Sequence, residues 1–396
     1  MERRLFLRTA GIASLAGLGT GCAARKTTAA VASSPSINQA PNATSAAASK
    51  RVFAKVKADP DRVIRTVVGL RPFRPSGFVV KTEPLGDKIV IHNYGHGGGG
   101  LTLSWGTSHL AVDEALKTGR RQFAVLGSGA NGLATARLLQ RHGFDVAIYA
   151  RELPLSQILT SPTTATMPLT SNIAGGQWSP ATVFLRGQTT PQFLDQFRQA
   201  LLLSFRYYQD LVGDRYGVRW LENYQMSDNP PNPGGSSSEV EALLPQVKDL
   251  RPDEHPFPFK YVHRFTTLQI EPPVYLAALM DDFLRAGGKV VVREFASTSD
   301  VLTLPEPVVM NCTGLGAGKL FNDSQLIPIK GQLIFLLPQP EVDYVTLAGD
   351  LYMFPRKDGI LLGGTHEQGV ATLEPNMEEW KRVMDGHHKF FTDMRG

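Results

Sequence analysis

Apolar and polar positions along the chain follow two periods, one of strands and one of helices. Phe123 to Leu126 is a short apolar run, Leu133, Ala136, Leu138 and Leu139 recur at helical spacing, and Asp145 to Ala150 is a second apolar run. This order predicts strand, helix and strand within about 30 residues. At the first junction Gly127, Gly129 and Gly132 fall at G-x-G-x-x-G spacing. The first glycine of that pattern permits a tight turn, the second lets backbone approach a pyrophosphate, and the third lets helix pack on strand. The helix start at Ala130 and Asn131 then offers free N–H groups and a partial positive charge to phosphates. The second run ends Tyr149-Ala150-Arg151-Glu152. A carboxylate for the ribose usually closes such a strand, so either Glu152 reaches back or Arg151 contacts the adenosine. The spacing alone does not choose between NAD and FAD.

Further along, Pro273 to Ala286 reads as an amphipathic helix with Leu276, Leu279, Met280 and Phe283 inward, stopped by Gly287-Gly288. Strands are predicted over Lys289 to Phe295, Val308 to Met310, 329–337 and 359–364. Ser108 to Lys117 reads as a helix ending at Gly119, and 227–237 as a turn-rich surface loop. The whole is an α/β pattern.

The first fifty residues break it. Arg3-Arg4-Leu5-Phe6-Leu7-Arg8 is a basic start, and Thr9 to Leu18 is a small, apolar run too short for a membrane span. Residues 1–22 read as an export signal, and the arginine pair resembles a twin-arginine signal. Export to the periplasm or cell envelope is therefore expected. Cys22, after Leu18-Gly19-Thr20-Gly21, is a candidate lipid anchor; ordinary cleavage near 21–24 is the competing reading. Residues 23–50 are Ala, Ser, Thr and Pro with almost no large apolar side chain, a disordered linker. The folded body is expected over 51–396.

Composition narrows the function classes. With 42% apolar residues among 396, a real core forms. The formal charge of +5 suggests nucleic acid, but residues 1–51 hold seven basic residues and one acid, a net of +6. That leaves −1 for the body, so no nucleic-acid partner is expected. Two cysteines, Cys22 and Cys312, exclude a disulfide framework and a multi-cysteine metal site. His92 and His96 stand four apart in a glycine-rich stretch without carboxylates, so no metal site is expected. Cys312 reads as a small core residue, and His387-His388 as a solvated helix face.

Residues 69–106 read GLRPFRPSGFVVKTEPLGDKIVIHNYGHGGGGLTLSWG. GLRPFR followed by HNYGHGG resembles the D-amino-acid oxidase family of FAD enzymes. IAGGQWSP (173–180), NCTGLGAG (311–318), GQLIFLL (331–337) and YMFPRKDGILLGGT (352–365) resemble the same family. The implied fold is a Rossmann-type FAD-binding domain interleaved with an antiparallel-sheet substrate-binding domain. Residues 62–180 and 287–330 would mainly bind FAD, and 181–286 and 331–396 would mainly bind substrate. The motif order is rotated relative to the family, since GLRP and HNYGHGG precede the dinucleotide fingerprint instead of following it. Each motif occurs once, which reads as a circular permutation joined between Lys117 and Phe123.

The resemblance also implies site residues. Arg71 matches the carboxylate clamp, Tyr352 a tyrosine that also bonds the carboxylate, and the Gly98 carbonyl the acceptor for the substrate amine. Gly97, Gly98, Gly99, Gly100, Leu101 and Thr102 would form a loop against the flavin. Ser171, Gly175, Gly176 and Gln177 would lie along the pyrophosphate and flavin, and Thr313 and Gly314 near the dinucleotide. Trp178 would line the cavity and Arg74 would be structural. A second tyrosine of the animal enzymes is replaced by Ala348. The implied activity is oxidation of D-amino acids to 2-oxo acids and ammonia, by hydride transfer to flavin N5, with O2 reduced to H2O2. An FAD-dependent dehydrogenase, a glycine or secondary-amine oxidase, and a flavin-binding amino-acid sensor are the alternatives. The sequence does not specify an oligomeric state.

Overall fold

The computed structural model describes residues 51–156, 169–230 and 238–395. The expected signal at 1–22, the linker at 23–50 with Cys22, and positions 231–237 of the predicted loop lie outside the described residues. Arg51–Gly396 forms one unit.

The chain opens with strands β1 (Val63–Phe73), β2 (Val79–Leu85) and β3 (Lys88–Tyr94), then helix α1 (Gly100–Lys117). The dinucleotide pattern follows as β4 (Gln122–Leu126), α2 (Ala130–Arg141) and β5 (Asp145–Ala150). Next come α3 (Thr170–Ile173), α4 (Pro191–Gln209), β6 (Val218–Ser227), α5 (Ser238–Glu241), β7 (Lys248–Leu250) and β8 (Tyr261–Ile270). They are succeeded by α6 (Pro272–Arg285), β9 (Lys289–Val292), α7 (Thr298–Leu302), β10 (Val308–Asn311) and α8 (Gly316–Leu320). The last elements are β11 (Ile327–Leu336), β12 (Tyr344–Ala348), β13 (Leu351–Arg356), β14 (Gly359–Gly363), β15 (Glu367–Gln368) and α9 (Met377–Asp393).

Two sheets organise these elements. The smaller runs β2-β3-β10-β4-β5-β9, parallel from β3 onward with β2 antiparallel at its edge. Its central strands are covered on both faces, which is why they read as continuous apolar runs. Phe123 and Val125 of β4 face the helices α1, α2 and α6, while Ala124 and Leu126 face Val301 and Leu320. The larger sheet runs β1-β11-β14-β13-β12-β6-β8-β7, with β15 added on β11. One of its faces packs on α9, where Ile334, Met353 and Leu362 meet Val383, Phe390 and Phe391. Helix α9 starts where the Asn376 side chain accepts from the N–H groups of Glu378 and Glu379.

The expected division into segments shifts. β1 lies inside the stretch assigned to FAD binding but belongs to the larger sheet, paired with β11 from Val63 to Phe73. Helices α4 and α6 lie inside the stretch assigned to substrate, yet they share one core with α1 and α2 on the smaller sheet. The chain crosses between the sheets more often than the motif order suggests.

Helix α1 begins at Gly100, not Ser108. Leu101 to Ser108 are buried on every side, so no polar stripe marks that half of the helix. Gly106 is where α4 crosses, and its N–H donates to the Ser204 hydroxyl at 2.8 Å.

His387 also departs from expectation. It lies on the buried face of α9 and its Nε2–H donates to the Gly363 carbonyl at 3.3 Å. Burial pushes its pKa down to about 4. A histidine depressed in the folded state costs nothing above about pH 6.5 and progressively more as the pH falls toward its folded value, because only the unfolded chain takes the proton. Replacing His387 by Gln is therefore expected to flatten the loss of stability between pH 6.5 and 4. The change to read by urea unfolding at each pH is up to about 3 kcal/mol.

Candidate active site

The parallel strands of the smaller sheet end at one place. β3, β4, β5 and β10 end at Tyr94, Leu126, Ala150 and Asn311, and the residues that follow them, Gly95, Gly127, Arg151, Cys312 and Thr313, line a single cavity of about 750 Å3. Ligands of open α/β sheets bind beyond such strand ends. The far wall is the larger sheet, where Arg71, Gly331, Leu333, Tyr352 and Phe354 reach the same space.

At the dinucleotide end the backbone turns as the spacing requires. Gly127 has φ +100, and a Cβ on it would press against the Cys312 carbonyl at 2.6 Å. Gly132 faces the Gly127 carbonyl so closely that any side chain would overlap it; it packs helix on strand and does not line the cavity. Gly129, Ala130 and Asn131 do line it. The Ala130 N–H is taken by the Ser171 hydroxyl at 3.1 Å, which ties α3 to the start of α2. Arg151 and Glu152 both reach the cavity and pair with each other at 2.7 Å, and Arg151 also pairs with Glu294 at 3.0 Å. The neighbouring Arg293 and Phe295 line this end too, and the dinucleotide pattern does not point to them. Thr313 and Gly314 border the same end, with nothing within 4 Å of a Cβ placed on Gly314.

The middle of the cavity is bounded by Gly97, Gly98, Gly100, Leu101 and Thr102 on one side and by Ser171, Gly175, Gly176 and Gln177 on another. Gly97–Gly99 is a single 3-10 turn, and Gly100 to Thr102 already belong to α1 rather than to a loop. Gly99 faces Val183 and the core instead of the cavity. Trp178 is likewise turned away, buried with its ring 4.8 Å from that of Phe205. Its neighbours Gln177 and Ser179 face the cavity, so alternation of the extended chain points Trp178 outward into the α4 core. Gln177 donates to Asn223 at 2.6 Å, which is the link between the segment 219–225 and the cavity wall.

Two buried side chains brace this middle section. His96 is pushed down to about 3 by burial, so its ring is neutral. Asn131 donates to its Nδ1 at 3.3 Å, which leaves Nε2–H to donate to the Thr107 hydroxyl at 2.9 Å. The ring thus ties the glycine turn to the start of α2. Asn93 donates to Ser108 and Thr135 at 3.1 and 3.2 Å, and its buried Oδ1 has no partner among the described residues. Cys312 is buried with its thiol pushed up to about 12, as suits a core residue. Arg74 pairs with Asp323 at 2.7 Å, a structural contact. Among the described residues no cluster of His, Cys, Asp or Glu could hold a metal ion.

Arg71 and Tyr352 meet the cavity from different strands. The Arg71 guanidinium lies across Gly331 of β11, and the Tyr352 ring lies across Gly363 of β14. A Cβ at either glycine would overlap the side chain lying on it. Arg71 donates to the Thr365 carbonyl at 3.3 Å and has no carboxylate partner among the described residues. An unpaired guanidinium facing a cavity is a ready site for a carboxylate. The nearest acid of this wall, Asp350, is held by Arg382 at 2.8 Å. His366 and Thr182, which no motif indicates, complete this end.

The cavity therefore joins the Gly127–Asn131 turn to the Arg71 guanidinium, and its glycine walls leave room for an extended flavin dinucleotide. A family model described as FAD dependent oxidoreductase matches residues 18–114 and 122–395. The chain is 29% identical to a D-amino-acid oxidase of Rubrobacter xylanophilus over 259 residues, 64% of this chain and 72% of that protein. It is 29% identical to a D-amino-acid oxidase of Streptomyces coelicolor over 265 residues, 65% of this chain and 73% of that protein. Among solved structures, glycine oxidase from Geobacillus kaustophilus is 16% identical, with a TM-score of 0.49 over 70% of this chain and 80% of that one.

The glycine floor can be tested directly. Gly363→Ala is expected to displace Tyr352 and lower kcat/KM by about 10- to 100-fold, the scale of a small misplacement in a site. Flavin absorbance per protein chain should stay at the wild-type level, because Gly363 does not itself line the cavity.

Proposed function

The chain belongs to the DAO family of FAD-dependent oxidoreductases, and on that premise we propose that it oxidises D-amino acids to 2-oxo acids and ammonia with O2 as the electron acceptor. The observation that carries this reading is the unpaired Arg71 guanidinium beside Tyr352, at the opposite end of the cavity from the dinucleotide turn. FAD, when bound, supplies the two-electron acceptor and its reoxidation by O2.

In this reading the protein orients the substrate. Arg71 takes the α-carboxylate through its planar fork, and the Tyr352 hydroxyl is a second donor to it. The Gly98 carbonyl accepts from the amine. With the carboxylate and the amine held, one enantiomer presents its C–H to the glycine wall at 97–102 and directs its side chain elsewhere, whereas the other would turn its side chain to that wall. The substrate loses a hydride from Cα and a proton from its amine, giving an imino acid. Water then replaces the nitrogen and releases ammonia. The D-amino-acid oxidases among the relatives support the choice of substrate class.

The same proposal includes the rotated motif order and the export signal. Two separate matches to the family model, broken between 114 and 122 at the turn joining α1 to β4, support a circular permutation at that joint. Arg3-Arg4 and the short apolar run support export by the twin-arginine route.

A panel of D-amino acids assayed in parallel for peroxide and for dye reduction tests the activity. Peroxide formed with D- but not L-enantiomers is expected; dye reduction without peroxide would replace the oxidase with a dehydrogenase. Arg71→Ala is expected to lower kcat/KM about 100-fold or more, since removing one side of a desolvated charge pair costs about 2–5 kcal/mol. Unchanged turnover in that variant would remove Arg71 from the clamp.

A further inference from the structure

His92 is buried, lies outside the cavity lining and takes no part in the steps above. It stands on β3, where the register sets Lys81 of the edge strand β2 on one side of it and Asn311 of β10 on the other. The Asn311 side chain carries the contact onward. Its Oδ1 accepts from the Thr313 N–H at 3.3 Å and from the Thr313 hydroxyl at 2.7 Å. A backbone N–H can only donate, so the amide is fixed with its oxygen toward Thr313 and its Nδ2 toward His92. Nδ2 then donates to the His92 Nδ1 at 2.9 Å, which leaves the ring proton on Nε2. Nε2 stands 2.9 Å from a Glu83 carboxylate oxygen, close enough to pair but not aligned as a hydrogen bond.

From Glu83 through His92 and Asn311 to Thr313, these contacts run from the surface to the dinucleotide end of the cavity. Thr313 lines that end, and its Cα would stand 3.6 Å from a Cβ on Gly127, so it lies against the first glycine of the turn. The arrangement works only with a neutral ring. A second ring proton would sit on Nδ1 and meet the Asn311 Nδ2 donor against donor. Turning the amide over relieves that clash but sets Nδ2 against the Thr313 N–H. Either way Thr313 loses the partner that holds it.

Among the described residues, the charged groups that face His92 are Lys81 and Glu83 from β2 and Asp323 from the turn after α8. Phe321 and Tyr94 meet the ring edge-on at 4.8 and 5.6 Å. Asp323 is held by Arg74 and Tyr94, and Lys81 pairs with Glu83 at 2.7 Å. Desolvation holds His92 below the ordinary histidine range, with Glu83 opposing the shift and Lys81 adding to it. Desolvation alone would raise the Glu83 carboxyl, but Lys81 and His92 outweigh it and hold it below its ordinary range. Glu83 therefore stays charged while His92 titrates.

We propose that His92 is a positioning residue for FAD, whose neutral ring holds the Thr313 turn in place beside the dinucleotide and whose protonation loosens it. The contribution is complete near pH 7 and is lost as the pH falls through the lowered value, because the loosened turn binds the proton more tightly. It does not depend on which substrate is oxidised.

The test follows FAD release from the holoprotein, diluted at pH values from 8 to 5, by the gain in free-flavin fluorescence. Far-ultraviolet circular dichroism checks that the chain stays folded over that range. Release is expected to quicken at least about three-fold from pH 8 to pH 5 in the native protein. His92→Asn keeps an acceptor in the place of Nδ1 and does not titrate, so its release should change by less than about 1.5-fold. Two variants outside the cavity read the same group from the surface. Glu83→Gln removes the partner that favours the second proton, so the midpoint of the change should move to lower pH. Lys81→Met removes the opposing cation, so the midpoint should move to higher pH. Opposed shifts are not expected of a histidine that only fills space. Release that is independent of pH in the native protein, a native slope kept in His92→Asn, or midpoints that do not move in opposite directions would overturn the role. Where His92→Asn does not fold, the two surface variants decide.

Discussion

A guanidinium kept at a cavity wall without a carboxylate is the constraint on which this structure turns. Desolvating an unpaired charge is costly, and a folded chain normally brings an acid to it. Here the surroundings keep acids away from Arg71. Asp350 is held by Arg382, Glu367 by Lys330 and Asn376, and His366 is neutral. The sheet also clears the space the side chain needs, because Gly331 lies beneath it and Gly363 beneath Tyr352. In the proposed function a bound carboxylate would offset the cost of the open charge.

The rest of the fold holds that wall against the dinucleotide turn. Arg71 and Tyr352 stand on the larger sheet, whereas the glycine turn and helix α2 stand on the smaller one. The two are joined by a few specific contacts. Thr182 accepts from Gly98 and bonds His366, and Gln177 donates to Asn223 of β6. Behind the larger sheet, α9 fixes the end of β14 through His387 to Gly363, and Arg382 donates to the next carbonyl, Gly364. A helix far from the chemistry in sequence therefore sets the height of the floor under Tyr352.

The elements legible in the sequence are those whose signal is local. The β4–α2–β5 unit lies within one residue of its predicted limits, because strand, glycine turn and half-buried helix each leave their own period in consecutive residues. The helix predicted from Pro273 to Ala286 appears as Pro272–Arg285 for the same reason. The first half of α1 was not legible, since burial on all sides erases the polar stripe that marks a helix. His387 and Trp178 were misread because the side each presents is decided by what packs there: α9 turns His387 inward onto β14, and α4 receives Trp178.

By itself the sequence determined that this is an α/β chain with a dinucleotide turn at Gly127–Gly132, a basic first fifty residues and a remainder of nearly neutral charge, because spacing and charge are properties of adjacent residues. Motif resemblance added FAD, Arg71 and Tyr352. Only the tertiary structure decided that Arg71 has no carboxylate partner among the described residues, that Gly331 and Gly363 are empty so that two side chains can lie across them, and that His366 and Thr182 meet at the same end of the cavity. Those facts join residues up to 294 positions apart in the chain, as Arg71 and Thr365 are. Contacts at that separation follow from sheet register and crossing, which no local period records.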